Sequence, residues 1–133
     1  MKSSLIRILF LLTGLGLAAF RCNDNEDQTY NTELAELNEL KTQIQNLAES
    51  AVCNNDTTCK FIAFGSKPCG GPWSYLVYST SIDTDQIENL VAAFNEKENL
   101  FNAKWGVASD CALTQPPRDV ICENNRCVAV YSQ

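Results

Sequence analysis

The chain has 133 residues, with 16 acidic and 10 basic side chains, seven cysteines and no histidine. This length fits one small domain, and the acidic balance argues against nucleic acid as a partner. The absence of histidine excludes Ser-His-Asp and Cys-His triads and two-His zinc sites. No acidic residue is placed in a pocket by the sequence pattern, so we expect neither an enzyme nor a cofactor.

Residues 1–21 are predicted to be a signal peptide. A basic leader, Met1 to Arg7, precedes an apolar run from Ile8 to Phe20. This run is shorter than the ~20 apolar residues that span a bilayer. Cleavage after Gly16-Leu-Ala18 would suit the general signal peptidase, whereas lipoprotein processing would cut just before Cys22. An uncleaved anchor is a third alternative.

Cys22 stands apart from the other cysteines and begins the acidic stretch Cys22-Asn-Asp-Asn-Glu-Asp27. This start resembles bacterial lipoproteins, and in particular those of Bacteroidota, in which acids after the lipidated cysteine direct export to the outer surface. The resemblance implies lipidation of Cys22, a membrane anchor, and a location at the outer membrane or cell surface. Arg21 stands where those proteins carry Gly, Ala or Ser. Plain secretion with Cys22 as a spare thiol, or a periplasmic location, is therefore the alternative.

Residues 22–31 are predicted to form an acidic flexible tether, because they are polar and low in apolar content. The folded domain is then expected over residues 32–133. From Glu33 to Ala51 apolar residues recur at three- and four-residue spacings, which predicts an amphipathic helix. The repeat lasts barely two heptads, which favours packing on its own domain over a partner-binding coiled coil.

The remaining elements follow from β-rich runs, helical periodicity and turn residues. They are strands over Lys60–Phe64 and Trp73–Ser79, a helix over Asp85–Phe101, and strands over Asp119–Cys122 and Cys127–Tyr131. The order α-β-β-α-β-β with short connections predicts a small disulfide-stabilised α+β domain. We expect an antiparallel sheet of about four strands with two helices on one face.

Six cysteines lie in the body of the chain, an even set that predicts three disulfides in an exported protein. These are Cys53, Cys59, Cys69, Cys111, Cys122 and Cys127. Of the fifteen possible pairings, we favour Cys122 with Cys127 across a hairpin that turns at Asn124-Asn125. Cys53 and Cys59 flank one short loop and are paired, which leaves Cys69 with Cys111. The C-x5-C and C-x4-C spacings and the oxidising destination argue against a metal site.

Two short segments contain patterns that are typical of a phosphate-binding loop and of a glycosylation site. Lys67 lies in Gly65-Ser-Lys-Pro-Cys-Gly-Gly-Pro72, where clustered glycines suggest a phosphate loop. The GK[ST] ending is missing, so a disulfide-anchored turn fits better. Asn55-Asp-Thr57 is a glycosylation sequon, and Asp56-Thr-Thr58 is similar to the O-glycosylation motif of Bacteroidota, so Thr57 is a candidate for modification.

Cys111-Ala-Leu-Thr-Gln-Pro-Pro-Arg118 resembles the reactive loop of Bowman-Birk serine-protease inhibitors. The resemblance implies that Leu113 enters the primary pocket of a protease and that Thr114 follows the cleavable bond. It also implies that Pro116 and Pro117 stiffen the loop. The cysteine that closes the loop in that family is replaced here by Asp119, and the next cysteine is Cys122.

The body as a whole is similar to small cysteine-rich domains of uncharacterised bacterial lipoproteins. The residues that carry this resemblance are the Cys-Gly-Gly-Pro turn, Ser-Asp-Cys and the terminal Cys-x4-Cys. We therefore expect an exported domain with a non-catalytic binding or structural role, anchored to a membrane, with a protein as its candidate partner. A serine-protease inhibitor that acts through Leu113 is the alternative.

Overall fold

The computed structural model of the protein describes residues 24–132. In chain order the elements are α1 (Asp24–Ser50), β1 (Cys59–Phe64), β2 (Ser74–Ser79), α2 (Thr84–Trp105), β3 (Asp119–Glu123) and β4 (Arg126–Val130). The predicted signal peptide and Cys22 lie outside the described residues. Neither described helix has the length and apolar character needed to cross a membrane. The chain divides into the units Met1–Asn31 and Thr32–Gln133, and the packing reported below lies within the second.

Helix α1 begins earlier than the sequence predicts, at Asp24 instead of Glu33. Residues 24–31 are therefore helical where a flexible tether was predicted. Residues 25–29 are all exposed, which agrees with their polar composition. Their backbone is helical, which the composition did not predict. Within this stretch the Thr29 hydroxyl donates a hydrogen bond to the Asn25 carbonyl at 2.7 Å.

The first hairpin and α2 form the centre of the domain. Strands β1 and β2 pair antiparallel, with Ile62 opposite Leu76. One face of this hairpin packs on α2, where the rings of Phe64 and Phe94 lie 5.0 Å apart between centroids. Asp83 caps α2 by accepting from the Gln86 N–H. Among the described residues, the largest fully buried side chains are those of Ile44, Ile87, Val91, Cys53 and Ser79.

The second hairpin, β3–β4, turns at Asn124 and Asn125, which adopt φ of 51° and 62°. It forms a separate sheet from β1–β2, so the prediction of one sheet of about four strands was wrong for the described residues. Two disulfides and a backbone hydrogen bond from the Cys53 N–H to the Asn125 carbonyl join the second hairpin to the rest of the domain, without a continuous backbone ladder between the two sheets. The coarser prediction, a small disulfide-stabilised α+β domain, is confirmed.

Three disulfides are present among residues 24–132, and one of the predicted pairs is confirmed. Cys69 is joined to Cys111, with a Cα–Cα distance of 5.4 Å. The other two predicted pairs were wrong, because the observed bridges are Cys53–Cys122 and Cys59–Cys127. Cys122 and Cys127 are opposite each other in the hairpin register, as expected. Both project from one face of β3–β4, where Cys127 meets Cys59 at the start of β1 and Cys122 meets Cys53 in the segment between α1 and β1.

We expect non-reducing peptide mapping to recover Cys53 joined to Cys122 and Cys59 joined to Cys127. Replacing the Cys59–Cys127 pair with alanine leaves the Cys53–Cys122 bridge in place, so it reopens only the short ring between the two bridges. On the chain-entropy model a ring of this size contributes about 3 kcal/mol, and the free energy of unfolding measured by denaturant titration should fall by that amount. Recovery of a peptide in which Cys53 is joined to Cys59 would contradict this topology.

Candidate functional site

The segment between α2 and β3, residues 107–118, carries the most exposed apolar side chain among the large apolar residues described. We call it the Leu113 loop. Leu113 keeps 83% of its surface accessible. Full burial of a leucine stabilises a protein by roughly 1.5–3 kcal/mol, so this exposure leaves a contact available for a partner. Four residues further along, Pro117 is buried, so the chain returns into the domain shortly after the exposed tip.

The Leu113 loop is held to the Gly65–Pro72 turn at its base. The Cys69–Cys111 disulfide joins the two segments covalently. The Lys67 ammonium donates a hydrogen bond to the Ala112 carbonyl at 2.5 Å. On the other side of the tip, the Thr114 hydroxyl donates to the Trp73 carbonyl at 3.3 Å. The attachments therefore lie on both sides of the Leu113–Thr114 peptide bond.

Lys67 is a buried lysine, with only 7% of its surface accessible. Besides the Ala112 carbonyl, its Nζ lies 3.4 Å from Asp110 Oδ1 and 5.2 Å from the centre of the Trp73 ring. The turn around it is closed by the Lys67 N–H, which donates to the Gly71 carbonyl. This hydrogen bond and the Cys69–Cys111 bridge confirm the predicted disulfide-anchored turn.

Three polar side chains of α2, at positions i, i+3 and i+7 of the helix, bind the backbone of the Gly65–Pro72 turn. The Gly65 N–H donates to Asn95 Oδ1 at 2.7 Å, and the Ser66 N–H donates to Glu98 Oε2. Asn102 Nδ2 donates to the Ser66 carbonyl at 2.7 Å. We did not predict this row of polar side chains from the sequence. The signal that marks it is a set of polar residues at helical spacing among the buried apolar positions of the same helix.

Gly65 is required where it stands. Its φ is +83°, and a Cβ there would lie 2.6 Å from Cδ1 of Trp73. A side chain would therefore displace the indole ring against which the Lys67 ammonium lies. The backbone between α2 and Lys67 is thus fixed by one glycine and three helix side chains.

Two carboxyl groups beside the loop have shifted pKa values. The pKa of Asp110 is lowered, first by the N–H of Ala112 and then by Lys67. Burial raises the pKa of Glu98, and this effect exceeds the opposing effect of the Ser66 N–H. Asp110 is therefore a carboxylate at neutral pH, whereas the charge on Glu98 is disfavoured by its surroundings.

The remaining predicted site residues lie elsewhere. Thr57 is half-buried, and its hydroxyl accepts from the Asn54 N–H at 2.8 Å. Its glycosylation stays a prediction. The sulfurs of Cys53, Cys59 and Cys127 lie within 4.8 Å of one another. They belong to two adjacent disulfides and not to thiolates, which are the form that binds a metal.

The structure brings Leu113, Thr114, Pro116 and Pro117 together in one loop, as their closeness in sequence requires. Pro116 is exposed and Pro117 is buried. Cys111 has a φ of 52°, so the backbone turns there and an extended segment can begin only at Ala112.

Neither a family model, nor a curated protein, nor a solved structure matches this chain.

We expect Glu98→Gln to stabilise the protein at neutral pH relative to acidic pH. Because the folded-state pKa of Glu98 is raised, its contribution to stability is present below its unfolded pKa and is lost as the pH rises. Glutamine keeps an oxygen for the Ser66 N–H and carries no charge to desolvate. The measurement is the free energy of unfolding of variant and wild type at pH 4 and pH 7.

The matched control is Glu96→Gln, an exposed residue on the same helix. The difference in free energy of unfolding between Glu96→Gln and the wild type should change less between pH 4 and pH 7 than it does for Glu98→Gln. A Glu98→Gln variant whose relative stability falls between pH 4 and pH 7 would contradict the assignment.

Proposed function

We propose that this chain is an exported, non-catalytic binding domain that is attached to a membrane through a lipid on Cys22. Its contact with a protein partner is made by the Leu113 loop. The observation that carries this proposal is Leu113 itself, 83% exposed at the tip of a loop whose base is cross-linked and hydrogen-bonded. Three disulfides are also typical of proteins that work in an oxidising compartment.

An ordered loop of this kind favours binding for an energetic reason. Association costs roughly 0.5–1.5 kcal/mol for each flexible side chain that must be immobilised, and more where a loop must be ordered. Here the Ala112 carbonyl and the Thr114 hydroxyl are already engaged in the free protein. Burying Leu113 against an apolar pocket then contributes to affinity with little of that cost.

The membrane attachment is tested by Cys22→Ser. If Cys22 is lipidated, the wild-type protein partitions into the detergent phase and the variant is released into the aqueous phase. Ser3→Ala, a change inside the leader, is the control and should leave the partition unchanged. A wild-type protein that is wholly soluble and begins just after Ala18 would contradict the lipid anchor. Protease applied to whole cells should digest the protein if it faces outward.

Serine-protease inhibition is a second candidate function for the same loop. The observation that favours it is the position of the attachments, since Cys111 is fixed before the Leu113–Thr114 bond and Pro117 is buried after it. A protease that cut this bond would leave both new ends attached to the domain. Held ends stay close together, which favours resynthesis of the bond over release of a product.

This candidate predicts inhibition of chymotrypsin-like or elastase-like enzymes, which have apolar primary pockets, by the purified oxidised protein. Leu113→Gly should abolish inhibition, and Leu113→Lys should transfer it to a trypsin-like enzyme. Val52→Gly changes another exposed apolar residue outside helices and strands and should leave inhibition intact. Rapid and complete cleavage after Leu113, or no inhibition across such a panel, would contradict this function.

A further inference from the structure

We infer that Lys67 is the positioning residue that makes the Leu113 loop an inhibitor instead of a substrate, an inference that rests on the inhibitory function proposed above. Lys67 does not reach the reacting bond. Its ammonium binds the Ala112 carbonyl, one peptide unit before Leu113. The role assigned to it is to hold the acyl side of the cut loop in the geometry from which the bond can be remade.

The reaction that has to be reversed is acyl transfer to a protease serine. The serine oxygen attacks the carbonyl carbon of Leu113, the bond from that carbon to the Thr114 nitrogen breaks, and the serine proton ends on the Thr114 amine. In the reverse direction the amine attacks the ester carbon, the amide bond forms and the proton returns to the serine oxygen. The direction taken depends on whether the amine stays beside the ester longer than water needs to reach it.

The carbonyl that Lys67 holds is well placed for this task. The Ala112 carbonyl belongs to the same planar unit as the Leu113 N–H, so fixing the oxygen also fixes the direction in which the chain enters Leu113. The Cys69–Cys111 bridge acts one residue earlier and leaves the rotations at Ala112 free. A charged donor makes a stronger hydrogen bond than a neutral one, and burial of Lys67 keeps water from competing for it.

The other side of the bond has its own attachments. The Thr114 hydroxyl donates to the Trp73 carbonyl, and Pro117 is buried. Trp73 also lies beneath the Lys67 ammonium, at 5.2 Å from its ring centre. The two ends created by cleavage are therefore both held to the short stretch between Lys67 and Trp73. That stretch is connected to α2 through Ser66, whose N–H and carbonyl bind Glu98 and Asn102.

The test compares the wild type with Lys67→Met, which keeps the length of the side chain and removes the ammonium. Lys67→Arg restores a cationic donor, and Lys60→Met removes a lysine that pairs with Glu88 at 3.1 Å and serves as the control. Each protein is incubated with chymotrypsin at fixed concentration. The readouts are the inhibition constant, the rate of cleavage at Leu113–Thr114, and the ratio of cut to intact protein at equilibrium.

We expect Lys67→Met to be cut roughly tenfold faster, or more, and to reach a higher fraction of cut protein. Lys67→Arg should recover part of this loss, and Lys60→Met should match the wild type. A merely structural role would lower stability without a bond-specific change that arginine reverses. Cooperative unfolding and retention of the Cys69–Cys111 bridge are checked for every variant.

A Lys67→Met protein that is folded and bridged, and that behaves as the wild type in all three readouts, overturns the role of Lys67 and leaves the inhibitory function standing. A wild type that inhibits no protease overturns the inhibitory function itself. If Lys67→Met does not fold, Asp110→Ala decides. That exposed carboxylate accepts from both Lys67 and the Ala112 N–H, so its loss must also speed cleavage. Unchanged cleavage of Asp110→Ala would overturn the inference.

Discussion

Two disulfides that lie side by side tie the C-terminal hairpin to the rest of the domain. A two-stranded hairpin is marginally stable alone in water, and the outer face of this one buries little, since Ile121 and Val128 remain 44% and 39% exposed. The bridges Cys53–Cys122 and Cys59–Cys127 supply the connection that a shared sheet would otherwise provide. Because β3 follows the Leu113 loop directly, this constraint also fixes the point at which the loop ends.

The beginning of the loop depends on a different element. Helix α2 uses its apolar side against β1, through Phe94, and a polar row on the same helix against the Gly65–Ser66 backbone. From there the positions of Lys67 and Cys69 follow, and they hold Ala112 and Cys111. The exposed leucine is thus supported from two independent directions, one covalent through the hairpin and one mainly polar through the helix.

The local structure could be predicted from the sequence because it depends on neighbouring residues. The helical periodicity of α2 and the Asn124-Asn125 turn each follow from a short pattern and are present. The α+β class follows from the order of these elements. The Cys69–Cys111 pair was reached because the other cysteines had been assigned first, although to the wrong partners.

The tertiary connections could not be predicted in the same way. Closeness in sequence suggested Cys122 with Cys127, and their opposite positions in the hairpin are real. The pattern does not say that the face that carries them packs on a second pair, Cys53 and Cys59. The residues next to Lys67 in the sequence do not predict its burial either, because its acceptor, Ala112, lies 45 positions further along the chain.

The central claim is that the Leu113 loop is already ordered in the free protein. Backbone 15N relaxation measures this directly at Ala112, Leu113 and Thr114. Our account predicts order parameters near those of the rigid strands, about 0.85, in spite of the exposure of Leu113. Values below about 0.6 at these three residues would show a loop that moves freely, and would contradict the account.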